Sequence, residues 1–595
     1  MSLTGALNTA VSGIQTAQRQ MQVTSGNVTN ANVEGFSRKT ASPETIVVGS
    51  QNAGVRLGEV TREVDEFLTK QVRRQETSLA NLEAQSQIMT RVQELFGTLR
   101  NDSTLANTLT RLQDSLEQLQ TDPESQATRN GVVQAARETA QEFNRFNREA
   151  LELRGQVDSD INLAVSDLNE TLKEVRDLND RISSAKATGN PVGELQDERD
   201  RALTTVSQMM DVRTFERSTG EIVVMNPQGQ PLVDSQASQL NFDITGAFNA
   251  GTDGKPVTFQ NGDVVTSSVG GRLGALLQLR DETLPNFMQD VDRLAATTRD
   301  TVNAAHNLGS GNPPAQELTG SRIIGDVNDT VELTSDVRFA VVNEDSGEIT
   351  DTVTIPAGTH TVTDLATMLD GLADASATAA VDEGLSITAD DGFRIAVVDT
   401  GDQTVTGQGG LVDEEANSFS GFFGLNDLFQ TPGVPLNDTV DGENGASQMM
   451  QVRSDILRDP KLISAGQLVG ENGPPNPDRA VPSGDNRVAQ RLANAFEQTV
   501  EFGATNNLDS RETTLAGFGG DLLQFHASEA ARVERNAQFQ SAVRDELKFR
   551  ADSQSGVNLD EELSNLLLFE QAHNASARVI TTVQRMFDTL EAMMR

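Results

Sequence analysis

The stretch SGNVTNANVEGFSR, residues 25–38, ends a helix-patterned N-terminus with three asparagines and a Gly-Phe pair. Asparagine tolerates turn conformations and can bond neighbouring backbone groups, while glycine permits a sharp bend. We therefore predict that the chain turns here, with Asn27, Asn30 and Asn32 shaping the corner and Gly35 bending it. Phe36 is then expected to anchor the bend in an apolar pocket.

The residues before this corner follow the spacing of a coiled-coil seam, in which apolar positions alternate by four and three residues. The N-terminal seam consists of Leu3, Leu7, Ala10, Ile14, Ala17 and Met21. The last forty residues repeat the spacing at Leu566, Phe569, His573, Ser576, Ile580, Val583, Phe587, Leu590 and Met594. Residues 1–40 are net positive and the last forty are net acidic, so we predict that the two terminal helices pair with each other.

Composition narrows the functional class. The 595 residues carry a formal net charge of −40, and 36% of them are hydrophobic. This length favours roughly three to five domains, and the acidic charge argues against binding nucleic acid or an anionic membrane. Cysteine is absent, which excludes disulfides and thiol chemistry. We expect no membrane span and no signal peptide, so that export would need another route.

No group of residues predicts catalysis. The four histidines, His306, His360, His526 and His573, are far apart in the sequence and form no metal-binding motif. Phosphate-binding and nucleophile-elbow motifs are also missing from the sequence. We therefore expect a protein that is not an enzyme and that needs no cofactor or metal.

The interior alternates between helical and strand-like patterns. Leucines from Leu105 to Leu119 and apolar residues from Ile161 to Ile182 predict two long helices, and residues 521–549 a third. Residues 212–233 read as a β meander, residues 271–308 as helix, and residues 320–410 as strands such as Val337–Val342 and Phe393–Val398. A loop is expected at residues 470–485.

These patterns predict a multidomain α+β protein, in which terminal coiled-coil and helix-bundle domains are nested around a β-rich centre. The expected domains are residues 1–60 with 550–595, residues 61–210 with 455–549, residues 211–319 with 411–454, and residues 320–410 as a β-rich outer insertion.

The asparagine-rich corner after a heptad helix resembles the signature of the axial proteins of the bacterial flagellum. Within that class the chain is most similar to the hook-associated protein 1 family, through GFSR at residues 35–38 and SGVNLDEE at residues 555–562. Interior stretches at residues 195–202, 270–281 and 448–462 also resemble that family. Gly26, Phe36 and His573 depart from the family pattern, which has Asn at the first position and Tyr at the other two.

The resemblance implies a structural component of the flagellum at the junction between hook and filament. It implies self-assembly into a ring through the paired terminal helices, contact with the hook protein and the second hook-associated protein, and an export chaperone on the C-terminal helix. Secretion through the flagellar type III route to the extracellular flagellum is expected. The expected assembly residues are Leu3, Leu7, Ile14, Met21, Asn27, Asn30, Asn32, Gly35, Phe36, Leu566, Phe569, Ile580, Val583, Phe587 and Leu590.

Two alternatives stay open at this stage. The chain could be another axial protein, such as the second junction protein or a flagellin variant, although SGVNLDEE and the large middle speak against this. It could also be an adhesin or an enzyme carried on an axial scaffold by residues 320–410. The missing catalytic pattern disfavours the enzyme version.

Overall fold

The computed structural model describes residues 3–48, 51–95, 105–249, 251–398, 405–408, 418–432, 445–468 and 476–594. Helices make up 57% of the structure and strands 17%, and the strands form several small sheets. The predicted α+β class is therefore confirmed. Within the described ranges no helix is long and apolar enough to cross a membrane.

The chain begins with one long helix and a β hairpin, followed by four helices. These are α1 (Leu3–Asn30), β1 (Lys39–Val48), β2 (Gln51–Arg62), α2 (Glu66–Leu95), α3 (Leu105–Thr121), α4 (Gln126–Ala187) and α5 (Gly193–Met209). The predicted leucine seam is helix α3, and its five leucines are at most 2% exposed. Helix α4 contains the predicted seam from Ile161 to Ile182, which is likewise buried.

Small antiparallel sheets and a broken helix follow. The elements are β3 (Arg213–Glu216), β4 (Ile222–Met225), β5 (Pro231–Val233), β6 (Leu240–Asn241), β7 (Thr258–Phe259), α6 (Gly271–Gln278) and α7 (Leu284–His306). Strands β3, β4 and β5 form one sheet in that order, which confirms the predicted meander. A π-helical segment, Leu279–Thr283, separates α6 from α7. In this segment Arg280 turns inward to Asp158, 2.8 Å away, and both side chains are buried.

The next part is rich in strands, as predicted. It contains β8 (Glu317–Thr319), β9 (Thr330–Leu333), β10 (Val337–Asn343), β11 (Glu348–Ile355), β12 (Gly358–Thr361), α8 (Val362–Leu369), β13 (Ala375–Thr378), β14 (Ser386–Ala389), β15 (Phe393–Val398) and β16 (Val405–Gln408). The two strands expected from sequence, β10 and β15, are antiparallel neighbours. Helix α8 starts at a capping box in which Thr361 and Asp364 bond each other's backbone N–H groups.

The chain then returns to helix through short elements. They are α9 (Phe419–Phe423), β17 (Phe429–Gln430), α10 (Ala446–Met449), β18 (Gln451–Val452), α11 (Ser454–Arg458), β19 (Asn476–Arg479), α12 (Arg487–Glu497), β20 (Val500–Phe502), β21 (Arg511–Thr513), α13 (Leu515–Ser555) and α14 (Leu559–Met594). Strand β19 lies within the loop expected at residues 470–485 and pairs with β11. Residues 469–475, 411–417 and 433–444 lie outside the described residues.

Buried apolar residues form two large cores. The first joins the helices and small sheets from α2 to α7 and from β17 to α13, apart from β19, and we call these elements the helical body. The second core runs from Ala315 to Leu425, and we call the described residues of that range the outer body. It is wider than the expected insertion at residues 320–410 because Phe419, Phe422 and Phe423 of α9 pack into it. The boundaries of the four expected domains stay a prediction.

Candidate assembly site

The two terminal helices lie side by side, so their predicted pairing is confirmed. They approach closely at small residues, because a Cβ atom on Gly13 would lie 2.9 Å from Ser576 Oγ. Gln18 Nε2 and His573 Nε2 are 3.3 Å apart across the pair. The fully buried side chains of α1 are small or polar ones, namely Ala10, Thr16, Ala17, Thr24 and Asn27.

The β1–β2 hairpin packs on the same helix. Gly54 has a φ of +134°, and a Cβ atom there would lie 2.4 Å from Ser12 Oγ. The backbone N–H of Val55 donates to Ser12 Oγ (3.1 Å), and Gln20 Nε2 donates to the carbonyl of Ala41 (3.2 Å). Helix α1, the hairpin and helix α14 therefore form one unit, which we call the terminal unit.

The asparagine-rich corner is built differently from the sequence prediction. Helix α1 runs through Asn27 and Asn30, so only Asn32 lies in the turn. The predicted turn conformation is therefore wrong for Asn27 and Asn30, because helix α1 includes Asn27 and ends only at Asn30. Gly35 has a φ of +74°, as a bend of this kind needs.

Asn27 connects three elements through its amide. Its side chain is buried, Nδ2 donates to the carbonyl of Lys39 (2.9 Å) and to Glu562 Oε2 (3.1 Å), and Oδ1 accepts from the N–H of Lys39 (3.1 Å). The end of α1 is thereby bonded to the first residue of β1 and to the start of α14. A shorter or apolar side chain would leave these buried groups without partners.

Phe36 does not sit in a purely apolar pocket, which corrects the sequence prediction. Its ring is only partly buried, and Lys39 Nζ lies 3.5 Å from the ring centroid. The negative face of the ring attracts the ammonium group, so Phe36 helps to hold Lys39 in place.

A charge cluster attaches the hairpin to helices α2 and α5. Asp197 of α5, whose side chain is 5% exposed, accepts from Lys39 Nζ (2.6 Å), Arg62 Nη1 (2.8 Å) and Ser37 Oγ (2.6 Å). Asp200, one helical turn later, contacts Arg62 Nη1 (2.9 Å) and Arg73 Nη2 (2.6 Å). Burial raises the pKa of Asp200, but Arg73 and Arg62 outweigh burial and hold that pKa below its ordinary value. We call Lys39, Arg62, Arg73, Asp197 and Asp200 the α5 charge cluster.

Arg38 makes a second set of ionic contacts, to the start of α14. Its guanidinium lies 2.8 Å from Glu562, 2.7 Å from Glu561 and 3.4 Å from Glu63. Burial lowers the pKa of Arg38, but the hydrogen bonds to Glu561 and Glu562 outweigh burial and raise it overall. The backbone N–H of Arg38 also donates to the carbonyl of Ser555 (2.8 Å). The opposite charges of the two termini thus meet at this corner.

The expected assembly residues differ in exposure. Asn27 and Val583 are buried, and Asn32, Gly35, Phe587 and Leu590 are exposed. The others are half-buried, namely Leu3, Leu7, Ile14, Met21, Asn30, Phe36, Leu566, Phe569 and Ile580. The structure brings the residues of α1 and α14 together as one pair of helices, while their role in assembly stays a prediction.

Helix α14 also carries an apolar stripe, of which the sequence analysis had identified only Leu590. Its members are Leu568, Val579, Met586, Leu590 and Met593, and each is between 44% and 81% exposed. Their spacing of 11, 7, 4 and 3 residues puts them on one face of the helix. The signal was present as a second heptad series beside the predicted seam. Because exposed apolar surface is often covered by a partner, the stripe is a candidate interaction surface.

The α5 charge cluster was missed as well, although residues 195–202 had been singled out for their resemblance. A helix with five charged residues in eight is predicted to be exposed to solvent when its ion-pair partners are unknown. For the part of the chain that the structure describes, no group of three or more His, Cys, Asp or Glu side chains is placed to hold a metal ion.

Comparisons with known proteins match three parts of the chain to models of flagellar protein families. The family model described as flagellar hook-associated protein FlgK helical domain matches residues 89–318. Models described as flagella basal body rod protein and flagellar basal body rod FlgEFG protein C-terminal match residues 7–36 and 551–593. The two terminal matches fall on α1 with the corner that follows it and on the end of α13 with α14, the helices that pair.

Relatives match along nearly the whole length. Flagellar hook-associated protein 1 of Escherichia coli (strain K12) is 24% identical over 604 residues, with 99% of each chain covered. The protein of that name from Salmonella typhimurium is 25% identical over 611 residues, again with 99% of each chain covered. The solved structure of the flagellar hook junction protein FlgK from Burkholderia pseudomallei matches with a TM-score of 0.50 at 15% identity, covering 82% of this chain and 100% of that one. This last match shows a shared fold.

Proposed function

Because this chain belongs to the flagellar hook-associated protein 1 family, we propose that it is a structural component of the bacterial flagellum at the hook–filament junction. The observation that carries the proposal is the terminal unit, in which α1 and α14 pair while the apolar stripe of α14 faces outward. The family is structural and is not a known enzyme family.

The stripe provides the driving force for self-assembly. Covering one large apolar side chain completely is worth about 1.5–3 kcal/mol, and the five members of the stripe are at least 44% exposed. Neighbouring copies of the chain would cover them, while the expected assembly residues supply the rest of the interface. The terminal unit alone buries few large side chains, so contact with neighbours stabilises it.

The expected domain division gives each part a place in this assembly. Residues 1–60 with 550–595 pack in the inner tube, and residues 61–210 with 455–549 form the next shell. Residues 211–319 with 411–454 and residues 320–410 face outward. The α5 charge cluster supports this arrangement, because the ion pairs from Lys39 and Arg62 to Asp197 fix the terminal unit to the helical body.

We also propose the finer partners that the family implies. They are further copies of this chain, the hook protein, the second hook-associated protein, and an export chaperone on the C-terminal helix. The family is part of the flagellum, and export of the unfolded chain through the flagellar type III route would deliver it to the extracellular flagellum.

Electron microscopy of a deletion strain tests the proposal, with flagellin measured in the medium. Complementation with the parental gene is compared with the double variant Leu568→Asp, Met586→Asp in the stripe. Asn574→Asp is the control, because Asn574 is an exposed polar residue on another face of the same helix.

The parent and the control should restore filaments, while the double variant should leave bare hooks and shed flagellin. Immunoblotting of the medium for the double variant separates failed assembly from failed export. Filaments of normal length on the deletion strain would overturn the junction role, and normal filaments with the double variant would overturn the role of the stripe.

A further inference from the structure

Buried polar side chains lie where the helical body meets the outer body. The chain passes from the helical body to the outer body between two core residues, which is the outgoing chain. Ala305 belongs to the core of the helical body and Ala315 to the core of the outer body. The chain passes back to the helical body between Leu425 and Leu428, which is the returning chain. Leu425 belongs to the core of the outer body and Leu428 to the core of the helical body. Among the residues between these pairs, His306, Asn307, Asn426 and Asp427 are polar and buried. With Ser321, Ser420 and Ser464 they form what we call the interbody cluster.

Asn307 is the centre of this cluster. Its Nδ2 donates to Asp427 Oδ1 (2.7 Å) and to the carbonyl of Asn303 (2.9 Å), and its Oδ1 accepts from Ser420 Oγ (2.7 Å) and from the N–H of Asn426 (2.9 Å). One side chain therefore makes four hydrogen bonds, which is all that an amide can make without sharing a proton. Three of them reach residues of the outer body or of the returning chain.

His306 and Asn426 bring in a third segment. His306 Nδ1 donates to the carbonyl of Asn426 (2.6 Å), and His306 Nε2 accepts from the N–H of Ser464 (3.0 Å). Because a carbonyl can only accept and an N–H can only donate, the imidazole is neutral with its proton on Nδ1. Asn426 Nδ2 donates to Ser464 Oγ (2.7 Å) and to the carbonyl of Gly309 (3.0 Å).

The cluster is also densely hydrogen-bonded. Its side-chain nitrogen and oxygen atoms are absent from the buried atoms without a partner among the described residues. Ser321 Oγ of the outer body completes it by donating to Asp427 Oδ2 (2.5 Å). A buried hydrogen-bond network is directional, and any rotation of one body against the other would leave several buried polar groups unpaired. Apolar contact alone is not directional and would tolerate sliding.

We propose that the interbody cluster is a lock that holds the outer body in one orientation on the helical body, with Asn307 as its positioning residue. The outer body is then a rigid arm rather than a tethered domain. The inference is independent of the hook–filament role, because it concerns a single chain in solution. In any assembly, such an arm would stand at the same angle on every copy.

Distance measurement between spin labels tests the lock on the full chain. The sequence has no cysteine, so Gln134→Cys on α4 and Asp345→Cys between β10 and β11, both exposed, give two unique labelling positions. Double electron–electron resonance then reports the distribution of distances between the bodies. Asn307→Ala is the main variant, Ser321→Ala is a milder one at the edge of the cluster, and Asn328→Ala, at an exposed turn of the outer body, is the matched control.

The parent and Asn328→Ala should give one narrow distance peak. Asn307→Ala should lose that peak in favour of a broad distribution, and Ser321→Ala should broaden it partially, while circular dichroism stays parental. A broad distribution in the parent, or narrow parental peaks in both cluster variants, would overturn the proposal. Should Asn307→Ala fail to fold, Ser321→Ala alone decides between these outcomes.

Discussion

Replacing Asp197 by asparagine should release the terminal unit from helix α5. Asn keeps the size of the side chain and can still accept from Ser37 Oγ, but the negative charge facing Lys39 and Arg62 is lost. Removing one partner of a buried ion pair costs about 3–5 kcal/mol, because the other charge stays buried without compensation. Arg62 keeps its ion pair with Asp200, 2.9 Å away. We therefore expect a cost at the lower end of this range, about 3 kcal/mol.

Hydrogen exchange is the suitable assay, because local opening of one part can be read separately from global unfolding. A loss of about 3 kcal/mol corresponds to roughly hundredfold faster exchange, since 1.4 kcal/mol is a factor of ten. This acceleration should appear in the amides of β1 and β2 and be absent from the buried part of α4. Asp177→Asn is the matched control, because Asp177 is 61% exposed and pairs with its neighbour Arg176 on the surface.

Two results would refute this reasoning. Parental exchange rates in the hairpin of Asp197→Asn would mean that the α5 charge cluster does not hold the terminal unit. Equal acceleration in the hairpin and in α4 would mean that Asp197 supports the helical body as a whole. The control variant should change exchange by less than about one factor of ten, as an exposed ion pair is worth at most about 1 kcal/mol.

Three further predictions concern other parts of the chain. Burial lowers the pKa of His306 to about 4, while an unfolded histidine titrates near about 6.5, so the unfolded state binds the extra proton first. His306 therefore contributes about 3 kcal/mol to the free energy of unfolding. This contribution is complete above about pH 6.5 and is lost as the pH falls through 4. Because the rest of the chain has a pH dependence of its own, urea midpoints of the parent and of His306→Gln should be compared between pH 7 and 4, and identical pH dependence would contradict the assignment. Leu112→Ala, at a fully buried position of α3, should cost about 2–5 kcal/mol in thermal unfolding of the helical body, and an unchanged melting temperature would count against the packing described. Truncation of residues 560–595 should leave a soluble central body that cannot join the hook, and normal filament growth with this variant would refute the role of α14.

Helix periodicity could be predicted from the sequence because it is a local property. The leucine seam of α3 and the terminal seams required only the residues of one element, and the strands β10 and β15 alternate or run apolar within their own length. Local patterns also identified the corner but gave it the wrong geometry. Asn27 has a helical backbone, and its buried amide bonds Lys39 and Glu562, one of which lies 535 residues away.

The ionic contacts could not be predicted, because their partners are distant in sequence. Asp197 lies 158 residues after Lys39 and 135 after Arg62, so the charges of residues 195–202 read as a solvated helix face. His306 is another example, since nothing in its neighbourhood distinguishes a saturated buried imidazole from a surface one. The composition of a segment does not reveal which of its polar groups will be buried.

The SGVNLDEE stretch had a physical meaning that resemblance alone did not provide. Asn558 Oδ1 accepts from the N–H of Asp560 (3.1 Å) and so caps the start of α14. The carbonyl of Ser555 bonds Arg38, and Glu562 bonds both Arg38 and Asn27. The stretch that identified the family is therefore the part of the C-terminus that contacts the asparagine-rich corner.

The nested path of the chain dictates an order of folding. The outer body draws its core from one continuous range, Ala315 to Leu425, whereas the terminal unit needs partners from both ends of the chain. Closing so long a loop costs entropy and slows folding. The outer body should therefore fold first, the helical body should close later, and α1 should pair with α14 only after α14 has been synthesised. Whatever acts on the nascent chain thus meets an N-terminal helix that has not yet paired with α14.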